Sequence, residues 1–280
     1  MAADCLQALL ASQNGDGGWS YGRGSSWTEP TIYALLALSA ADAEHFDAAL
    51  RGARWLQTLQ RRDGGFPCSR TTGESAWVTG LALLLAGRTV CTFDSVAAME
   101  WVLTAGTWRP GTLERLRVTL FGRCARTIRP DGWSWTPDTA SWVLPTSLTI
   151  LGLQRVSRVH ADGRIPIRIG HGRDYLRAHM CTHGGWSMGD GPHAFPETTG
   201  AALLAMHGAG TGLEGTLATA ERLAGGCRSR EGRLWLTLGL AAHGRAVPGA
   251  AAPGAFRGTR ELALTLIADA QLVGRHSLLG

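Results

Sequence analysis

Arg51-Gly-Ala-Arg-Trp55-Leu56-Gln-Thr-Leu-Gln60-Arg-Arg-Asp-Gly-Gly65-Phe66 carries a helix-forming stretch into an abrupt stop. The paired glycines supply the positive φ that a helix end requires, and an aromatic residue follows at once. The same signal occurs as Gln13-Asn-Gly-Asp-Gly-Gly-Trp19, as Arg129-Pro-Asp-Gly-Trp133 and as Thr182-His-Gly-Gly-Trp186. Ser229-Arg-Glu-Gly-Arg-Leu-Trp235 reads as a degenerate copy. The aromatic residues lie 47, 67, 53 and 49 positions apart, and the long gap leaves room for an eroded copy at Thr107-Trp108-Arg-Pro-Gly111. Repetition at this period is the signature of stacked supersecondary units.

The flanks repeat as well. Helical stretches precede the motifs at Cys5–Ser12, Ala48–Leu59, Leu113–Arg126 and Gly172–Met180. Small, apolar helices follow at Thr31–Leu38, Ser75–Ala86, Thr146–Leu153 and Thr199–Met206, each with Thr or Ser placed to cap its first N–H groups. Further helices are predicted over Ser95–Ala105, Glu214–Ala224, Leu234–His243 and Thr259–Val273, with a loop over Ala246–Gly258. The total is about twelve helices in six pairs, with no β alternation of useful length and no linker. The expected fold is all-α. Stacked pairs of this kind form an open superhelix or close into a ring of inner and outer helices.

With those repeats in view, the segment Arg51–Phe66 resembles the QW repeat of triterpene cyclases: a basic residue, Gly or Ala, an aromatic, an aliphatic, a Gln, then a glycine and an aromatic. Gly172–Trp186 fits it loosely, with Met180 in the Gln position. The resemblance extends over nearly the whole chain and points to squalene–hopene cyclases and the β subunits of protein prenyltransferases. It implies an α/α toroid of about six inner/outer pairs, one domain over residues 1–280. The Gln side chain is expected to cap backbone groups at the turn, and Trp19, Phe66, Trp133 and Trp186 are expected to be structural.

Composition narrows the chemistry. The chain has 280 residues, 45% hydrophobic and 18% charged, a balance that supports a large core. Its net charge is +5, and all 27 basic residues are arginine. No lysine exists to form a Schiff base, hold pyridoxal phosphate or serve a P-loop. The arginines are scattered, so no nucleic-acid footprint is expected. Cys5, Cys68, Cys91, Cys124, Cys181 and Cys227 show no zinc-finger spacing. Met1–Leu10 lacks the pattern of a secretory signal, and no apolar run approaches the ~20 residues of a membrane span. A cytoplasmic protein with reduced thiols is expected, with at most peripheral membrane contact.

The starts of three inner helices carry the chemistry. Trp27-Thr-Glu29-Pro30-Thr31, Trp142-Val-Leu144-Pro145-Thr146 and Phe195-Pro-Glu197-Thr198-Thr199 align, with Glu74 near the corresponding place in the second unit, its register open by a residue. An acid at the mouth of an apolar cavity can protonate an alkene when burial raises its pKa, and aromatic faces stabilise the cation. Glu29, Glu197 and Asp138 are therefore the candidate proton donors. Trp27, Tyr33, Trp142, Phe195 and His193 are the candidate substrate-binding residues. Glutamate in a first helical turn also complements the helix dipole, and that reading stays open.

The resemblance implies an isoprenoid lipid or prenyl diphosphate as ligand. The cyclase motif Asp-x-Asp-Asp-Thr is absent; Pro137-Asp138-Thr139-Ala140 is the nearest approach. The prenyltransferase zinc ligands are absent too, since Glu197-Thr198-Thr199 stands where that family has its Cys. Cys181, His183, Asp190 and His193 are close in sequence, but no metal and no cofactor is expected. Two further readings stay open. One is a non-catalytic toroid, or a subunit that needs a second domain or chain. The other is a sugar-acting toroid, since paired carboxylates and exposed Trp residues also suit glycans.

Overall fold

The structure is a computed structural model, and it describes residues 2–39, 45–104, 132–189, 191–210, 212–247, 256–274 and 278–279. The expected helix at Leu113–Arg126, the eroded motif at Thr107–Gly111 and most of the loop before Gly258 lie outside the described residues.

Eleven α-helices occur among the described residues. The first five are α1 (Ala2–Ala11), α2 (Thr28–Leu38), α3 (Phe46–Gln57), α4 (Val78–Ala82) and α5 (Ser95–Thr104). Then come α6 (Val143–Val156), α7 (Arg164–Ala178), α8 (Pro196–Ala205), α9 (Glu214–Gly226), α10 (Arg230–Ala242) and α11 (Thr259–Leu272). A 3-10 turn, Leu83–Leu85, extends α4. Strands β1 (Trp133–Ser134) and β2 (Ser141–Trp142) pair antiparallel, Trp133 opposite Trp142.

Six helices close a ring: α2 packs on α4, α4 on α6, α6 on α8, α8 on α10, α10 on α11, and α11 returns to α2. The outer helices lie against this ring, α1 on α11, α3 on α2, α5 on α4, α7 on α6 and α9 on α8 and α10. The α/α toroid is thus the fold. Inner helices touch neighbours on all sides, so they are apolar all round; every residue of α2 is buried. Two contacts rely on glycine. A Cβ on Gly200 would lie 2.2 Å from the Trp235 backbone of α10, and one on Gly152 would lie 2.1 Å from the Gly80 carbonyl oxygen of α4.

The repeated motif is the fastener between units. Gly17 and Gly64 adopt φ of 94° and 88° and end their turns as the sequence requires. The Gln13 amide donates to Gly17 O at 2.8 Å and to Ala48 O of α3 at 2.9 Å. Gln60 repeats this with Gly64 O and Asp94 O, at 3.0 and 2.8 Å, the latter just before α5. Each Gln therefore ties the end of one outer helix to the start of the next. The indole N–H of Trp19, Trp133 and Trp186 donates to Leu9 O, Val102 O and Leu176 O, near the ends of the outer helices before them.

The threonines differ from expectation. Thr31, Thr146 and Thr199 do not cap their own helices, and Ser75 donates to Asp63 instead of capping α4. The hydroxyls of Thr31, Thr79, Thr146 and Thr199 accept from the backbone N–H of Trp19, Phe66, Trp133 and Trp186 at 2.8–3.0 Å. The motif aromatic has a buried N–H that needs a partner, and threonine on the inner helix supplies it. Ser229–Trp235 is also no motif copy. It lies at the start of α10, where Ser229 accepts from Gly232 N at 3.1 Å and Trp235 is a buried helical residue.

Candidate functional site

All inner helices begin at one end of the ring, the end bearing the motif loops. Their N-terminal partial charges converge there and favour acidic side chains. The residues just before the first turns of α2, α4, α6 and α8 are Trp27, Trp77, Trp142 and Phe195. These aromatics form one arc of the mouth. One step inside stand Glu29 on α2, Leu144 on α6, Glu197 on α8, Glu231 on α10 and Arg260 on α11, each the second residue of its helix. The charged arc thus runs over α8, α10, α11 and α2.

Arg260 is the hub. An arginine at a helix N-terminus opposes the dipole, so carboxylates must offset it. Its Nη1 donates to Glu29 Oε1 at 2.9 Å and its Nη2 to Glu231 Oε2 at 2.7 Å. The Tyr21 hydroxyl donates to the other Glu29 oxygen, and the Arg260 guanidinium lies 5.9 Å from the Tyr21 ring centroid. Glu29 is 6% exposed. Burial pushes the Glu231 carboxyl above the ordinary carboxylate range, and the charges of Glu29 and Glu197 push the same way, while Arg260 opposes them. Burial and the Glu29 charge likewise raise Tyr21. On the far side, the Ser229 hydroxyl donates to Glu197 Oε1 at 3.2 Å.

The floor beneath this cluster is aromatic. Tyr33 lies one turn below Glu29, and Trp235 one turn below Glu231. Their rings meet edge to face, centroids 6.2 Å apart, from the non-neighbouring helices α2 and α10. Both are fully buried, so this part of the ring's middle is packed. The rim of the mouth is exposed and apolar: Tyr21, Trp27, Trp142, Met188 and Phe195. Trp77 meets Trp135 edge to face at 4.9 Å. It also hydrogen-bonds Cys68, whose thiol is raised by burial and by the Glu29 charge.

The structure therefore brings Glu29, Tyr33 and Glu197 to one end of the ring, with Trp27, Trp142 and Phe195 on its rim. His193 is exposed in the loop before α8. Asp138 is exposed in the turn between β1 and β2, in a left-handed conformation with φ of 59°. Glu74 is exposed and lies four residues before the α4 start; counting back from Thr79, its place in the register is taken by Trp77. Glu231, Arg260 and Tyr21 escaped the sequence reading. A comparison of all inner-helix starts, with or without the aromatic, would have found the first two. Among the described residues no three His, Cys, Asp or Glu side chains gather as a metal site, and no helix is long and apolar enough to cross a membrane.

No protein-family model matches this sequence, and no curated protein matches it. Solved structures do match. The type II terpene cyclase MstE from Scytonema, in a variant complexed with geranylgeranyl dihydroxybenzoate, is 16% identical over 96% of this chain and 77% of that one, with a TM-score of 0.57. The endo-β-1,4-glucanase CMCax from Acetobacter xylinum is 15% identical over 98% of both chains, with a TM-score of 0.62. The GH76 α-mannanase from Bacteroides thetaiotaomicron is 10% identical over 97% of this chain and 95% of that one, with a TM-score of 0.55. At these identities the likeness is one of fold.

Proposed function

We propose that this chain, one toroid domain over residues 1–280, is a terpene cyclase-like protein that binds an isoprenoid at its mouth and starts its cyclisation with a proton. The observation that carries the reading is Glu231: a carboxyl whose pKa is pushed up by burial, paired with Arg260 at 2.7 Å, over an aromatic floor. Proton transfer from Glu231 to an alkene carbon forms a C–H bond from the π pair and leaves a carbocation on the adjacent carbon. The carboxylate that remains stays on Arg260. A second double bond of the same chain attacks the cation, a ring closes, and loss of a proton from the final cation restores neutrality. The product is an isomer of the substrate, and no redox partner enters.

Glu29 is bound twice, by Arg260 and by Tyr21, so it suits holding the arginine better than donating a proton. Glu197 is the second donor candidate, and the exposed Asp138 is the third. Trp27, Trp142 and Phe195 supply apolar faces to the ligand, with His193 in the same loop as Phe195. Supporting the isoprenoid class are the repeat resemblance and MstE, a structure of the same fold determined with a prenylated substrate. The protein is to be incubated with squalene, farnesyl diphosphate and geranylgeranyl diphosphate, and the extracts analysed by gas chromatography–mass spectrometry. A cyclic isomer should form, and Glu231→Gln should abolish it with the thermal midpoint nearly unchanged. Turnover that persists in Glu231→Gln but stops in Glu197→Gln or Asp138→Asn would move the acid elsewhere.

A second reading is supported by the exposed rim. Five large apolar side chains around one opening also suit a partner subunit over a non-catalytic toroid. In that case no isomer forms with any substrate, and the isolated chain self-associates on size exclusion.

A further inference from the structure

Beside the mouth, on the side of Trp27 toward the first two motif turns, lies an open cleft of about 720 Å³. We propose that it binds a neutral, hydroxyl-rich ring, a saccharide unit, stacked on Trp27. Its size is that of a small-molecule site. Asn14, Asp16, Trp27, Ser69, Arg70 and Thr71 line it.

The charges select the ligand class. Asp16 is fixed by three donors: Gly18 N–H and Ser26 hydroxyl on Oδ1, at 3.1 and 2.7 Å, and the Trp55 indole on Oδ2 at 2.8 Å. Burial alone would raise its pKa, but these bonds hold the carboxyl below its ordinary value. Asp16 is therefore ionised at neutral pH and repels phosphates and carboxylates. Arg70 opposes a simple cation; its guanidinium donates to Thr58 Oγ1 at 3.0 Å and lies 5.7 Å from the Trp55 ring centroid. A neutral ligand that both donates and accepts hydrogen bonds suits this wall. The Ser69 hydroxyl lies 3.0 Å from that of Thr71 and 2.9 Å from that of Thr72, and either member of each pair can donate.

Trp27 provides the flat face. The residue is 38% exposed although its backbone is fixed, with N–H on Trp19 O at 2.8 Å and its own O accepting the Thr31 hydroxyl at 2.7 Å. A held, exposed indole beside fixed hydroxyls is a platform for the C–H face of a pyranose ring. The Tyr21 and Trp27 ring centroids lie 5.8 Å apart, and the Tyr21 hydroxyl in turn donates to Glu29 of the acid cluster.

Saturation-transfer NMR with cellobiose and maltose, at neutral pH, tests the site without any isoprenoid. Its outcome is therefore independent of the cyclase reading. Saturation of the sugar ring protons is expected, with affinity about tenfold weaker in Trp27→Ala. Ile167→Ala, at an exposed residue of α7 that does not line the cleft, should bind as the wild type. Should Trp27→Ala fail to fold, Arg70→Ala and Thr71→Ala on the opposite wall serve the same purpose, and each should weaken binding. No saturation transfer from either sugar, binding unaffected by these changes, or displacement by inorganic phosphate overturns the proposal.

Discussion

Arg260 and Glu231 are coupled, and substitution separates their roles. Arg260 lowers the Glu231 pKa while burial raises it, so Arg260→Ala should move Glu231 still higher. The same change leaves Glu29 and Glu231 facing each other without a counter-charge. The cost should be about 2 kcal/mol, less than the ~3–5 kcal/mol of a fully buried broken pair, because the Arg260 side chain is 33% exposed. Carboxyl-selective NMR titration and urea unfolding check the two parts. For the wild type the sign with pH follows from the raised folded pKa. The stabilising contribution of Glu231 is complete below its unfolded value near 4.5 and is lost as pH rises through the folded value. Glu231→Gln, which mimics the protonated acid, should remove that fall. Thermal midpoints of the two proteins should therefore be closest in acid and diverge in favour of the variant above that range. Parallel curves would show that folding leaves the Glu231 pKa unshifted.

The elements are fastened by few groups, and these were partly visible in sequence. Gln13, Gln60 and the motif tryptophans announced themselves by repetition, and their bonds to neighbouring outer helices follow from the turn geometry. Trp19→Phe should cost about 2 kcal/mol in urea unfolding, since Leu9 O loses its donor and the core loses volume. Phe66 shows that the fold admits this exchange where no such bond is made. What stayed hidden was tertiary. Nothing local says that Gly200 must meet the Trp235 backbone; Gly200→Ala forces α8 and α10 apart and should cost about 3 kcal/mol or more. The threonines looked like helix caps because their partners lie 12 or 13 residues away across a turn. Glu231 was masked because Ser229 precedes α10 where Trp or Phe precedes α2, α4, α6 and α8. Arg260 was one arginine among 27, and only ring closure of α11 onto α2 brings it to Glu29.

At the scale of the molecule, parallel inner helices produce a mouth with two chemical halves. Aromatic residues stand before α2, α4, α6 and α8, and charged residues begin α8, α10, α11 and α2. The repeat made the toroid legible, since each unit buries its apolar face only against the next. The function is less legible, because one fold serves a cyclase and glycan-active enzymes. The floor at Tyr33 and Trp235 is filled, so the proposed isoprenoid site is the mouth above it. The direct test is mass spectrometry of an organic extract of the purified protein, repeated after incubation with squalene and with prenyl diphosphates. A stoichiometric isoprenoid is predicted, lost when Trp27 and Trp142 are both changed to Ala. An empty extract under every condition, from folded protein, would contradict the isoprenoid assignment.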